Sequence, residues 1–167
     1  FMGEPQVDAP DLRPVSGMEP GAIPTSVDLN LPPDPCPDRQ IGGRSEGLKT
    51  LDTFLSLRAG PYRKAMSSPL AGAKHCSRLS PHLAWGTLSM KEVTQATWTR
   101  QRDLKQNGEP SAGWRSSMVS FSGRLHWRDH FGQKLEDAPD MELEPLHSGY
   151  RGMRPSDPDA SRLKTWA

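Results

Sequence analysis

The sequence predicts an all-α domain behind a proline-rich linker, and three observations carry that expectation. Apolar residues recur at helical spacing in three stretches after Gly43, each bounded by capping or breaking residues. No stretch shows the alternation of a β-strand. Nine of the 17 prolines fall within residues 1–40, where neither period appears. Such composition favours extended backbone, so this segment is expected to be a linker or a strap lying across another surface.

The helices follow in order. Leu48, Leu51, Phe54 and Leu55 recur at helical spacing and predict a first helix from about Gly43 to Gly60-Pro61. In Cys76 to Gly86, CSRLSPHLAWG, a polar Ser-Arg-Leu-Ser run opens into a helix start. Ser80 is expected as the N-cap, with Pro81 at the first helical position. Backbone N–H groups and the positive end of the helix dipole would then sit beside two hydroxyls and a guanidinium, a seat for phosphate or pyrophosphate.

Another helix starts at Ser89, where Ser-Met-Lys-Glu reads as a capping box with Glu92 at N3. Val93, Ala96, Thr97 and Leu104 form its inner face until Asn107-Gly108. The longest helix is expected from about Ser111 to Leu135, with the stripe Trp114, Met118, Phe121 and Leu125. A loop with Pro139, Pro145 and Gly149 follows. Ser156, with Asp159 three residues on, starts a last helix.

Composition bounds the function classes. At 167 residues the chain is long enough for a real core, yet only 34% of it is hydrophobic, and its mean hydropathy is −0.71. No run of eighteen apolar residues exists to span a membrane. Without a signal-peptide pattern, a cytoplasmic location is expected, and a start at Phe1 suggests a chain cut at both ends. Cys36 and Cys76 then read as free thiols. The net charge of +1 hides an asymmetry. Residues 1–40 carry seven acids and two bases, a net −5, and the remainder carries a net +6. A basic body suits a polyanionic partner such as DNA, although a mixed solvated surface would look the same.

The motifs carry a resemblance. CSRLSPHLAWGTLS, with Tyr62 upstream and SFSGRLHWRDHF (Ser120 to Phe131) downstream, resembles the flavin-binding helical domain of the photolyase/cryptochrome family. The likeness covers roughly residues 40–167, all in the expected order. It implies the domain division 1–40, interdomain linker, and 41–167, the N-terminal portion of the FAD-binding domain. It further implies a flavin-dependent, blue-light-driven enzyme that splits cyclobutane pyrimidine dimers in DNA, a deoxyribodipyrimidine photo-lyase, with FAD as cofactor. A cryptochrome-like photoreceptor without repair is the alternative, and an all-α interaction module without cofactor is a third reading. The N-terminal α/β domain of the family and the rest of its flavin pocket lie outside the sequence. Weak or no FAD binding, and no activity, are therefore expected of the chain by itself.

Residue by residue, the resemblance assigns Tyr62, Cys76, Ser77, Arg78, Leu79, Ser80, Phe121 and Arg128 to the cofactor. Tyr62 stands seven residues before Pro69 and would reach the FAD phosphates; it could equally pack at a helix end. Cys76 stands where many members have Thr, and a thiol is a poor phosphate donor, so its backbone N–H would do any binding. Ser80 can cap its helix and bind at once, and Arg78 could instead form an interhelical ion pair. Phe121 fits a place beside the flavin or in the core. Arg124, Trp127 and Arg128 are assigned to substrate and DNA. An indole offers a stacking face for an extruded base, and a guanidinium neutralises phosphate; photolyases are among the enzymes known to extrude their target bases. Arg124 departs from the family, whose repair-active members commonly place a Glu there; an Arg cannot act as an acid.

His126 and His130 form an i, i+4 pair, but a zinc protease needs Glu where Trp127 stands and no third ligand is near, so no metal is assigned. His75 and His82 read as surface or packing groups. Trp85, Trp98, Trp114 and Trp166 read as helix-packing residues, since the family's tryptophan electron relay lies beyond Ala167.

Overall fold

The computed structural model describes residues 2–13, 15–19, 21–33, 35–153 and 158–166. Among them the fold is all-α, with no strand. The chain divides into two compact units, residues 1–121 and 122–167.

In the first unit, α1 (Arg44–Thr53) runs directly into a π-helical turn, Phe54–Arg58. Short helices α2 (Tyr62–Ala65), α3 (Gly72–His75) and α4 (Ser80–Ala84) follow, and then α5 (Met90–Asn107). Helix α6 (Trp114–Asp137) begins in this unit. The predicted first helix is thus an α-helix with one widened turn, which brings Phe54 and Arg58 round to the same end. Leu51 and Phe54 are buried, whereas Leu48 is exposed and Leu55 half-buried. Leu48, Leu51 and Leu55 line one side of a groove of about 820 Å³, and Gln95, Ala96 and Thr99 of α5 line the other. The expected inner face of α5 therefore shifts by part of a turn: Val93, Thr94, Thr97 and Leu104 are buried, and Ala96 is not.

The capping box is present as read. Ser89 Oγ accepts from the Glu92 N–H at 3.1 Å, and Glu92 Oε2 accepts from the Ser89 N–H at 2.8 Å. Glu92 also pairs with Arg44 at 2.5 Å, tying the start of α1 to the start of α5. The Arg44 hydrogen bond and the Ser89 donors outweigh burial and hold the Glu92 carboxyl down at about 2, against an ordinary 4.5. A carboxylate lowered on folding stabilises the fold above its unfolded pKa and loses that contribution as pH falls towards the folded value. Glu92→Gln is therefore expected to be less stable than wild type at neutral pH. The two should converge between pH 4.5 and 2, as followed by urea midpoints at stepped pH.

The stripe of the long helix is borne out, since Trp114, Met118, Phe121 and Leu125 are all buried. Its first turns are clamped within unit 1. Ser117 Oγ donates to the Gly60 carbonyl at 2.7 Å and accepts from the Arg63 N–H at 3.1 Å. Gln101 Nε2 donates to the Met118 carbonyl at 3.1 Å. Arg100 lies 4.8 Å over the Trp114 ring. Gly60 is required at this approach: a Cβ there would stand 2.8 Å from Trp114 Nε1.

The N-terminal segment has no helix or strand among its described residues. Its first residues act as a strap on α5. Gln95 Nε2 donates to the carbonyls of Met2 and Glu4 at 2.8 and 2.7 Å, and Lys91 Nζ donates to that of Pro5 at 2.8 Å.

The second unit holds the later part of α6, two 3-10 turns at Pro139–Glu142 and Ser148–Tyr150, and α7 (Ala160–Trp166). Asp159 accepts from the N–H groups of Ser161 and Arg162 at 3.0 and 3.1 Å and so caps α7. Ser156, expected to start that helix, lies outside the described residues. Two of the four packing tryptophans are corrected. Trp85 is 85% exposed at the end of five-residue α4, and Trp166 is 87% exposed on α7, no described residue of which is buried. Trp114 is buried and Trp98 half-buried. His82 packs in the core, with Nδ1 3.1 Å from the Thr87 hydroxyl.

Candidate functional site

Two groups of the expected site residues occur, one in each unit. In the first unit, Tyr62 and Phe121 come together. Their rings meet edge-to-face at 5.7 Å, and both meet Phe54, at 5.6 and 4.7 Å. All three rings are buried. The two expected flavin contacts are thus part of one aromatic cluster in the core.

The Ser-Arg-Leu-Ser loop adjoins this cluster through Arg58. The Arg58 guanidinium lies 5.6 Å over the Phe54 ring. Its Nη1 donates to the Cys76 carbonyl at 2.5 Å, and its Nη2 donates to the carbonyls of Ser77 and Thr50 at 3.2 and 3.0 Å. On the other side, Gln40 Nε2 donates to the Arg78 carbonyl at 2.8 Å. Arg78 itself adopts φ +61°, an uncommon backbone state for a residue with a Cβ. The expected capping by Ser80 is corrected at this point. Leu79 (φ −90°, ψ −10°) is the N-cap residue, and no side chain caps α4. The left-handed turn at Arg78 changes the chain direction one residue earlier than a Ser80 cap requires, which places Ser80 in the first helical turn. Leu79 is buried and anchors the loop, whereas Cys76, Ser77 and Arg78 are half-buried and Ser80 is exposed.

This loop has the electrostatics of an anion seat. Burial first, and then the charge of Arg78, push the Arg58 guanidinium below its usual range. Neither Arg58 nor Arg78 has a carboxylate partner among the described residues. Two cations therefore stand close together without an acid between them. The N–H groups of Ser77 and Arg78 also lack a protein acceptor among the described residues. Unsatisfied N–H donors of consecutive residues fit a phosphate or diphosphate group.

In the second unit, Arg124, Trp127 and Arg128 follow one another at i, i+3 and i+4 on α6, and Phe131 continues the row. Trp127 is 52% exposed; its ring stacks near Phe131 at 5.9 Å and meets His130 edge-on at 5.7 Å. Arg124 and Arg128 are exposed. This face offers a flat aromatic surface next to two cations without a carboxylate partner among the described residues. His126 Nδ1 lies 2.8 Å from the Ser122 carbonyl, one turn back.

Comparison with known proteins decides the family. Over 146 residues the chain is 30% identical to a deoxyribodipyrimidine photo-lyase of Streptomyces griseus, covering 80% of the chain and 28% of that protein. It is 29% identical over 137 residues to a cryptochrome DASH of Natronomonas pharaonis, covering 77% and 27%. It is 26% identical over 151 residues to cryptochrome-2 of Gallus gallus, covering 87% and 24%. The chain belongs to the photolyase/cryptochrome family. It spans about a quarter of the length of these curated relatives. No family model matches it, and no solved structure does. No described helix is long and apolar enough to cross a membrane.

Two residues central to this site escaped the sequence reading. Phe54 stood in the apolar stripe as an ordinary core residue. Arg58 carried no signal at all, because its partners are carbonyl groups up to 19 residues away, and carbonyls leave no trace in a sequence.

Proposed function

We propose that the full protein is a flavin-dependent, light-driven DNA repair enzyme that splits cyclobutane pyrimidine dimers, a deoxyribodipyrimidine photo-lyase. The likeness over 80% of the chain to a relative of that name carries the reading. The donor set of the Ser-Arg-Leu-Ser loop supports FAD as cofactor, with Ser77, Arg78 and the backbone of Leu79 holding the diphosphate. The Cys76 N–H, expected from the sequence to take part, is instead bound to the Gly72 carbonyl at 2.8 Å. Tyr62 and Phe121 would border the same pocket, and Ser80 would add its exposed hydroxyl. When bound, a reduced, photoexcited flavin supplies the electron that splits the dimer.

The residues of this chain would do the recognition. Trp127 stacks on the extruded lesion, worth roughly 1–3 kcal/mol per stacked base. Arg128 and Arg124 neutralise the phosphates that flank it, which makes binding strongly salt-dependent. The domain division follows the same reading: residues 1–40 connect to an α/β domain, and residues 41–167 begin the flavin domain, with DNA as partner in a cytoplasmic setting.

Arg124 favours a second reading, a cryptochrome-like photoreceptor that binds FAD and signals without repair. With Arg in place of an acid, nothing at this position can protonate a dimer. Illuminating the full-length protein with dimer-containing oligonucleotide separates the two. Light-dependent loss of dimers is the expected result. Flavin-loaded protein that leaves dimers intact would sink the repair reading and leave the photoreceptor.

A further inference from the structure

We infer that Arg58 is a positioning residue for the diphosphate of the cofactor: it holds two consecutive peptide planes of the binding loop with their N–H groups turned outward. The inference rests on the flavin reading above and adds a residue to it. Every peptide bond among the described residues is trans, so the carbonyl of one residue and the N–H of the next point in opposite directions. Arg58 draws the carbonyls of Cys76 and Ser77 to itself. The N–H groups of Ser77 and Arg78 must therefore face the opposite side, and neither has a protein acceptor among the described residues.

The positioning is firm because the guanidinium is itself fixed. A planar fork presents its donors in a rigid pattern. Here the Thr50 carbonyl accepts one more bond from Nη2, the Thr53 hydroxyl accepts from Nε at 3.4 Å, and the Phe54 ring covers one side. The π-helical turn at Phe54–Arg58 delivers the side chain to this place. The loop backbone needs such support, because the positive φ at Arg78 is costly for a residue with a Cβ. His75 completes the arrangement, with Nδ1 3.2 Å from the Arg58 carbonyl. A lysine could reach one of these carbonyls but could not hold both in one plane.

The test measures FAD and riboflavin affinity of the full-length apoprotein for wild type, Arg58→Met and Arg58→Lys. Ser89→Ala, a cap remote from the loop, serves as a stability control. Arg58→Met is expected to bind FAD at least tenfold more weakly while the FAD-to-riboflavin affinity ratio falls, because riboflavin carries no diphosphate. Arg58→Lys should fall between, and Ser89→Ala should match wild type. Should Arg58→Met fail to fold, Arg58→Lys alone decides: a lowered FAD-to-riboflavin affinity ratio supports the inference and an unchanged ratio overturns it. Equal loss for FAD and riboflavin would mean a merely structural role and would overturn it too. Wild-type protein that binds no FAD would remove the flavin reading itself, and this inference with it.

Discussion

Phe54→Ala is expected to destabilise the chain by about 3–5 kcal/mol, the usual cost of emptying a fully buried aromatic site. Phe54 has no exposed surface and meets the rings of both Tyr62 and Phe121. It also carries the Arg58 guanidinium on its ring at 5.6 Å. Truncation would therefore open a cavity shared by α1, α2 and the start of α6, and would loosen the loop that Arg58 holds. Since a domain of this kind has a total stability of roughly 5–15 kcal/mol, the loss would be a large fraction of the whole. Phe54→Leu keeps most of the volume and should cost less than about 1.5 kcal/mol. Urea unfolding followed by circular dichroism measures both. A Phe54→Ala midpoint close to that of wild type would contradict the aromatic cluster as the centre of the first unit.

Trp127→Ala should have the second large effect, on binding of dimer-containing DNA by the full-length protein. Removing one stacking surface costs roughly 1–3 kcal/mol, or about 5- to 150-fold in affinity. Undamaged duplex, whose bases stay in the helix, should be bound almost as before. Arg128→Ala should instead weaken both DNAs and reduce the salt dependence, because a phosphate contact carries no information about the lesion. Fluorescence anisotropy with the two duplexes distinguishes these outcomes. Equal loss on damaged and undamaged DNA in Trp127→Ala would mean that the exposed indole face packs against protein and takes no part in reading the lesion.

What the sequence made legible was whatever repeats along a helix or caps one. The steps from Trp114 through Met118 and Phe121 to Leu125 place four side chains on one face, and all four are buried. Ser89 and Glu92 sit three apart, and both hydrogen bonds of the box form. The failures share a different origin. Ser80 looked like a cap, but the chain turns at Arg78 in a backbone state that no side-chain pattern announces. The π-helical turn at Phe54–Arg58 shifts the phase of α1 without altering its apolar spacing. Helices α2 and α3 have four residues each, too short for a period to appear. Placing the family's tryptophan relay beyond Ala167 leaves Trp85 and Trp166 as expected packing residues, yet both stand exposed at helix ends.

For the site, the order of motifs along the chain pointed to Tyr62, residues 76–80, Phe121 and the Trp127-Arg128 pair. Tyr62 and Phe121 meet in three dimensions, as buried rings of the core cluster. The contribution of Arg58 lay hidden, since it acts on the backbone.

The central claim is that the Ser-Arg-Leu-Ser loop belongs to a flavin pocket. The visible absorption spectrum of the purified full-length protein tests it most directly. Flavin bands that persist through gel filtration are the expected result. A colourless, well-folded protein that takes up no added FAD would contradict the account and leave an all-α interaction module.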